Sequence, residues 1–252
     1  MSGIGAVCYR EGRIRFTNLV WMFWDLFYPL GYLLVFGVAV SHTLGAPRSA
    51  AAGADYSAFF LAGVLAMASF GIAANTAWGF FVDRDNGIFF EMLTYPLSRA
   101  EYLLGKVLFN VLLSLAQAAL TLALAQLVLG IRIDLRLLPL IALGSGGGTA
   151  GWFFFYSIFA LKIRRNDAFN TVTSIFYFVF LFASSMFYPI EPLPASLRAA
   201  ARVNPITWQV DLLRYATIRL GDPAEIALEA AAFALFSLAA FAIAVRSLRQ
   251  QE

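Results

Sequence analysis

Charged residues are scarce in this chain, and long runs of one charge are missing. Only 13% of its 252 residues are charged, whereas 61% are hydrophobic. Soluble globular domains carry roughly 45–50% apolar and about 25% charged residues, so too few polar side chains are present to cover a water-facing surface. The apolar excess therefore indicates a protein embedded in lipid. A net charge of only +3 argues against a nucleic-acid partner.

Cysteine and histidine each occur once, as Cys8 and His42. One cysteine excludes an intramolecular disulfide, and one histidine excludes a metal centre built from several His and Cys ligands. We interpret His42 as an interfacial residue at the outer end of a membrane helix, and we predict no metal site and no catalytic residue. The first nine residues show no cleavable signal pattern, so we expect the first apolar run to remain as an anchor.

Six apolar windows are long enough to cross a membrane as helices, which takes about 20 mostly apolar residues each. The windows are residues 19–40, 57–82, 106–129, 137–161, 168–188 and 224–245. Glycines interrupt the fourth window, but they lack the Lys-Ser/Thr ending of a phosphate-binding loop. The four-residue spacing of Gly144 with Gly148, and of Gly147 with Gly151, favours close helix packing instead. The sequence thus predicts an all-α integral membrane protein with six transmembrane helices.

The distribution of basic residues indicates the orientation of these helices. Most Lys and Arg residues, both lysines included, fall on the segments that are inside when the N-terminus is cytoplasmic. The positive-inside rule then places both termini in the cytoplasm, as an even number of spans requires.

Residues 1–18 are too polar to span a membrane. Their apolar side chains share one helical face: Ile4, Val7, Cys8 and Ile14. Glu11 interrupts that face, and Arg10 and Arg13 lie on the other side of the helix. This pattern predicts an amphipathic helix lying on the inner membrane surface, with a disordered basic tail as the alternative.

The segment at residues 83–105 lies inside in this topology. Asn86-Gly87 is a turn signal, Ile88 to Leu93 is apolar apart from Glu91, and Pro96 ends that piece. Ser98 and Glu101 form a capping box, which predicts that the third helix begins in the cytoplasm. The apolar stretch either docks in a groove of a partner protein or dips into the lipid interface.

The segment at residues 189–219 is rich in helix-breaking proline. Ala195 to Arg202 reads as a short helix, and Asn204-Pro205 reads as the cap and first residue of a second helix. One face of the second helix carries the apolar residues Ile206, Val210 and Leu213, and Asp211 and Arg214 are spaced to pair. Two short outer helices, half in the membrane, would either plug a pathway or cap the bundle.

Asp25 is the clearest ionisable residue inside a span, one turn before Pro29. A carboxylate at this depth is costly, so it either pairs with a basic residue or faces a substrate cavity. Spans three to five otherwise offer only neutral polar groups. We therefore expect the energy for any transport to come from outside the chain.

Three segments resemble the ABC type-2 export permeases, the membrane subunits of bacterial drug, lipo-oligosaccharide and polysaccharide exporters. The first is the start of span one, including Asp25 to Pro29 and Leu34 to Gly37. The second runs from Arg84 to Lys106, and the third from Phe187 to Pro194 with Asn204-Pro205 and Asp211 to Arg214. The third is the most specific, and together they cover nearly the whole chain.

The resemblance implies roles for individual residues. Residues 1–18 correspond to a connecting helix within a single transmembrane domain of residues 1–252. Coupling to an ATPase is implied for Arg84, Gly87, Glu91, Pro96, Ser98 and Arg99. An outer re-entrant element is implied for Pro189, Pro194, Asn204, Pro205, Asp211 and Arg214. A substrate pathway near spans one and five is implied for Asp25, Phe176, Phe180 and Met186, with ordinary packing as the alternative for the aromatic residues.

The resemblance also implies partners. A separate nucleotide-binding ABC ATPase subunit would bind ATP and Mg, and this chain itself would need no cofactor. A second permease chain, commonly making a homodimer, would complete the pathway in the lipid of the bacterial cytoplasmic (inner) membrane. The implied substrate is amphipathic, lipid-like, drug-like or glycan-containing, and it would move outward.

Two other classes of membrane protein make different demands on the sequence. A lipid-modifying enzyme would need Asp, His or Arg clustered at one membrane face, and no such cluster is visible. An ion-coupled carrier would show an internal repeat and paired buried charges, and we find neither in the sequence.

Overall fold

The computed structural model describes residues 3–39 and 56–249, and every regular element in these ranges is helical. The first two helices are α1 (Gly3–Thr17) and α2 (Leu19–Tyr32), the latter continued by a π-helical segment (Leu33–Val38). The remaining helices are α3 (Tyr56–Asp85), α4 (Ile88–Met92), α5 (Arg99–Leu127), α6 (Leu138–Lys162), α7 (Asn166–Phe182), α8 (Ala195–Arg202), α9 (Pro205–Ile218) and α10 (Pro223–Arg249). His42 lies outside the described residues.

Four of the described helices are long and apolar enough to cross a membrane: α3, α5, α6 with its preceding 3₁₀ turn, and α10. A fifth is reached if Gly3–Thr17 and Met22–Gly37, which meet at an angle of 73°, count as one bent span. The predicted all-α class is confirmed, and the structure supports four to five spans where the sequence indicates six. The fifth window yields α7, which at 17 residues is shorter than the about 20 that a span needs.

Helix α3 is the centre of the bundle. It packs against α5, α6 and α9, and every side chain from Phe59 to Phe70 is buried. Helix α10 lies at the periphery, against α6 and α9, and exposes leucines such as Leu228 and Leu235. An apolar helix with an exposed apolar face is expected where lipid takes the place of water.

The glycine run does not break helix α6, which is continuous from Leu138 to Lys162. A Cβ atom on Gly148 would lie 1.9 Å from Nε2 of Gln209 on α9, and one on Gly144 would lie 2.8 Å from Leu213. Gly151 makes the same kind of approach to Ser237 on α10. The packing interpretation is confirmed for these three glycines, whereas a Cβ on Gly147 would meet nothing within 4 Å.

Helix α1 forms as predicted, but its buried face is different. Glu11 and Gly12 are buried together with Val7, whereas Ile14 is exposed. Arg10, placed by the sequence on the far side, donates hydrogen bonds to Asp83 of α3. The helix packs against α5, and buried charges of opposite sign hold it against the bundle. Its place on the inner membrane surface stays a prediction.

The fifth apolar window ends earlier than expected, at Phe182 instead of residue 188. The Asn204 amide nitrogen donates to the carbonyl oxygens of Phe180 and Ala183, each at 2.8 Å. These contacts satisfy carbonyl groups that a continuing helix would have used. The chain can therefore leave the helix at this point and enter the proline-rich segment.

Candidate functional site

A cavity of about 900 Å³ is lined by residues of α1, α2, α3 and α7, and it is partly open. Its inner end lies at α1 and the start of α5, where Glu11 and Lys106 line it. Its deeper part is lined by Pro29, Met67 and Phe178. The cavity thus runs from a charged floor to an apolar interior.

The floor is formed by four ionised side chains, Arg10, Glu11, Asp83 and Lys106, which we call the inner charge cluster. Lys106 Nζ lies 2.7 Å from Glu11 Oε1 and 2.8 Å from Asp83 Oδ2. Arg10 reaches the other oxygen of Asp83 at 2.7 Å, and the Tyr102 hydroxyl donates to Asp83 at 2.8 Å. Two positive and two negative charges from three helices are therefore balanced in a buried position, as buried charges require.

A second ion pair lies beside the floor, at the junction of α1 and α2. Arg15 Nη1 is 2.7 Å from Asp25 Oδ2, and the Asn75 amide donates to Asp25 Oδ1 at 2.7 Å. Arg15 also donates to the Asn110 side-chain oxygen at 3.3 Å. Asp25 lines the cavity as well. This residue therefore both pairs with a basic residue and faces a cavity.

Helix α7 forms one wall of the cavity with residues other than the predicted Phe176 and Phe180. The lining residues on this helix are Phe169, Asn170, Thr173, Ser174, Tyr177 and Phe178. Phe176 packs on Phe159 of α6, with ring centroids 5.0 Å apart, and Phe180 packs on Trp152 at 5.3 Å. Met186 is fully buried against Gly63. None of the three lines this cavity, because they point to the bundle core.

The predicted coupling segment is a turn and a short helix beneath α3, α5 and α6. Gly87 adopts φ +76°, a left-handed conformation that glycine tolerates best. Phe89 of α4 is buried against Phe80 and Tyr102, whereas Phe90 and Glu91 are exposed. One face of α4 therefore fixes the segment to the bundle and the other faces outward.

The residues at the two ends of this segment have structural partners. Arg84 lies in the last turn of α3 and donates to the carbonyl oxygens of Ala160 and Ile163 at the end of α6. Pro96 precedes the predicted capping box, and Ser98 and Glu101 make both of its hydrogen bonds. Arg99 is the first residue of α5. The predicted start of this helix is confirmed.

The outer segment folds as two short helices with the predicted caps. Pro194 immediately precedes α8, and Asn204 caps α9 by accepting a hydrogen bond from the Ile206 amide, with Pro205 as the first helical residue. Pro189, which precedes this pair of helices, lines a separate pocket of about 210 Å³ together with several carboxylate side chains. The apolar face of α9 is buried at Ile206, Val210 and Leu213.

Arg214 anchors this outer element, with Asp211, Ser185 and Phe59 around it, and we call this group the outer arginine site. Its guanidinium lies 2.5 Å from Asp211, donates to the Ser185 carbonyl at 2.6 Å, and stacks over the Phe59 ring at 3.9 Å. The predicted pairing of Asp211 with Arg214 is confirmed.

A third charged contact lies on the outer surface. The side chain of Arg219 donates to Asp134 at 2.8 Å, and the Arg136 backbone N–H donates to the same carboxylate. Both contacts lower the pKa of Asp134 below its usual value, and the hydrogen bond from Arg219 has the larger effect.

Sequence reasoning missed the inner charge cluster and with it the pairing of buried charges. Glu11 was visible as an interruption of an apolar face, and Lys106 as a cation at the start of an apolar window. These are signals of buried pairing, since an unpaired charge at either place would be costly. They do not identify the partner, because Glu11 and Lys106 are 95 residues apart.

A family model for ABC-2 type transporters matches residues 3–218, which includes the cavity, the coupling segment and the outer helices. A comparison with curated proteins gave no match. Membrane subunits of this family carry no ATPase activity, typically need no cofactor of their own, and pair with a nucleotide-binding ATPase subunit. With its membrane-spanning helices and a match over most of its length, the chain belongs to the ABC-2 type transporter family and is a multi-pass membrane permease subunit.

Proposed function

We propose that this permease exports an amphipathic substrate that is lipid-like, drug-like or glycan-containing. Transport would be outward across the bacterial cytoplasmic membrane, driven by ATP hydrolysis in a separate subunit that binds ATP and Mg. The observation that carries the proposal is the cavity of about 900 Å³, whose polar floor and aromatic walls suit a molecule with a polar head and an apolar tail.

The proposed topology has six spans in total, within one transmembrane domain of residues 1–252. Helix α2 and the π-helical segment together cover residues 19–38, which at 1.5 Å per residue is about 30 Å, the thickness of the hydrocarbon core. Helix α7 supplies the remaining span, extended by the buried residues that follow it. Both termini and α4 would then be cytoplasmic, and α8 and α9 would form a re-entrant element on the outer side.

A second copy of the chain fits beside the cavity. Exposed apolar residues of α2 and α7 flank the opening: Leu19, Val20, Phe23, Phe27, Ile175, Val179 and Phe182. A patch of this kind marks an interaction with lipid or protein. In the proposed homodimer the two cavities join into one pathway between the copies, with Asp25 and Phe178 on its wall.

The ATPase would bind the outward-facing side of α4. Phe90 and Tyr95 are exposed aromatic residues beside Glu91, a composition suited to a partner groove. Arg84 and the Ser98 capping box fix the two ends of the segment to α6 and α5. Force applied at α4 would therefore reach the bundle through these contacts.

The first test is purification of the chain from its native membrane in mild detergent, with mass spectrometry of the proteins that remain bound. A stoichiometric soluble ATPase is expected, and the reconstituted complex should move substrate only with hydrolysable ATP. Glu91→Ala should reduce transport-coupled ATP hydrolysis, while Arg202→Ala, at an exposed outer position, should not. Transport driven by an ion gradient without ATP would contradict the proposal and favour a carrier, a class that the buried charge pairs also suit.

Topology is tested by cysteine labelling in a Cys8→Ser background. A cysteine introduced by Ser196→Cys on α8 should react with an impermeant thiol reagent in intact cells. A cysteine introduced by Glu91→Cys on α4 should react only after lysis. The reverse pattern would overturn the proposed orientation.

A further inference from the structure

The charge balance of the cavity restricts the substrate more sharply than its size does. Five charged side chains line it: Glu11, Arg15, Asp25, Asp83 and Lys106. With Arg10, which pairs with Asp83 from behind, they sum to three positive and three negative charges. Building on the proposed export function, we propose that the cavity selects amphiphiles whose polar head is uncharged and offers hydroxyl or amide groups.

Each charge already has a partner at contact distance. Lys106 bridges Glu11 and Asp83 at 2.7 and 2.8 Å, and Arg15 holds Asp25 at 2.7 Å. An anionic or cationic head would have to displace one of these partners and leave a buried charge unpaired, which is strongly unfavourable. The ion pairs therefore hold the floor together and leave no charge for the substrate.

Neutral polar groups are the ones still available for binding. In the described part of the chain, the side chains of Asn18, Trp24 and Ser174 make no hydrogen bond within the protein. The side-chain amide nitrogens of Asn75 and Asn170 donate to Asp25 and Asn166, respectively. Their side-chain oxygens accept no hydrogen bond from the described residues. Amide and hydroxyl groups donate to and accept from hydroxyls and amides without a net charge.

The neutral groups and the apolar surface are arranged along the cavity in the order that an amphiphile needs. Asn18 immediately precedes α2, and Asn170 and Ser174 lie in the first nine residues of α7. In the proposed topology these are the helix ends nearest the charged floor. Pro29, Met67 and Phe178 line the part farther from the floor. Exposed aromatic faces, notably Trp24, lie between them and can stack on a sugar or a planar amide.

The test uses three photoreactive probes with the same dodecyl diazirine tail and a glucosyl, trimethylammonium or phosphate head. They are added at equal concentration to the full chain, with its ATPase, in lipid nanodiscs, and the labelled peptides are identified by mass spectrometry. The glucosyl probe should label α2 and α7 about tenfold more than either charged probe, a difference of one well-placed interaction. Equal labelling, preference for a charged head, or no labelling of the cavity would overturn the inference.

A charge introduced into the wall should redirect this preference. Ser174→Asp should raise cavity labelling by the trimethylammonium probe about tenfold relative to the glucosyl probe, and Asn18→Asp gives a second, exposed position for the same measurement. Ser196→Asp, outside the cavity, should leave the preference unchanged. If neither cavity variant alters the preference, the head does not bind where we place it. ATP-driven transport is measured separately on the same complex, so loss of transport alone would count against the export function and not against the head-group preference.

Discussion

The two ends of the bundle hold buried charge in different ways. The inner charge cluster joins three helices, α1, α3 and α5, through side chains that are each other's counterions. At the outer arginine site, Arg214 pairs with Asp211 three residues away on the same helix, and it also contacts the carbonyl and hydroxyl oxygens of Ser185 and the Phe59 ring. The inner arrangement depends on the relative positions of helices, whereas the outer one mainly fixes a turn of chain to its neighbour.

This difference indicates where the molecule can transmit movement. Asp83 of the inner cluster is adjacent to Arg84, which begins the coupling segment, and the cluster also forms the cavity floor. A shift of α4 would therefore act on the floor directly. The outer arginine site lies at the other end of α3, which carries Phe59, and we expect it mainly to hold α9 against the bundle.

The largest effect is expected from Lys106→Met. The change leaves Glu11 without its cross-helix partner and Asp83 with only Arg10, and breaking a buried pair in this way costs about 3–5 kcal/mol. Thermal unfolding in detergent, followed by size-exclusion fluorescence, should show a large decrease in stability. Lys162→Met, at the exposed second lysine, is the matched control. Equal stability of the two variants would mean that the inner cluster does not hold the helices together.

Arg214→Met should have a smaller effect, about 1.5–3 kcal/mol, which is typical of lost hydrogen bonds to a charged group. Asp211 is partly exposed and can be solvated when its partner is removed. The same unfolding measurement applies, with Arg202→Met on the exposed face of α8 as the control. A loss of stability greater than that caused by Lys106→Met would show that the outer arginine site contributes more than the inner charge cluster.

Two glycines, one near each end of the bundle, test whether the two ends behave independently. A Cβ on Gly105 would lie 2.8 Å from the Ile4 carbonyl of α1, and one on Gly63 would lie 2.8 Å from the Met186 carbonyl. Alanine at either place should cost about 1–3 kcal/mol through overpacking. Only Gly105→Ala should also speed alkylation of Cys8, because it displaces α1. Gly147→Ala, with open space around it, is the control, and faster alkylation in Gly63→Ala would show that the ends are not independent.

The smallest effect is expected on the outer surface, at Asp134. Arg219 and the Arg136 amide lower the pKa of this carboxyl, so its contribution to stability is complete above the usual value of about 3.9 and is lost as the pH falls through the lowered value. The difference in unfolding temperature between the protein and its Asp134→Asn variant should be small and constant from pH 7 to about 5. It should shrink below about pH 4, and a difference that grows on acidification would contradict the assignment.

Local signals in the sequence predicted much of this fold. The capping box at Ser98, the cap and proline at Asn204-Pro205, and the Asp211–Arg214 spacing each involve residues within a few positions, and the structure has all three. Each depends on the chain alone and not on what packs against it.

Long-range contacts were not predictable in the same way. Phe176 and Phe180 were expected on a pathway wall, but which face of α7 meets α6 depends on the fit between two helices. The binding of Glu11 by Lys106 requires α1 to lie against α5, and no local pattern gives that placement. The cavity itself is a product of such contacts, so its lining could not be read from the order of residues.

Helix α3 connects the outer arginine site with the inner charge cluster. It carries Phe59 near its outer end and Asp83 near its inner end, with buried side chains along most of its length. They are 24 positions apart, which corresponds to about 36 Å of helix. A tilt of about 5° at the Asp83 end would therefore displace the Phe59 end by about 3 Å, the length of a hydrogen bond. We therefore expect the dense packing of α3 to let a small displacement at the Asp83 end weaken the contact of Phe59 with Arg214 of α9 at the other end.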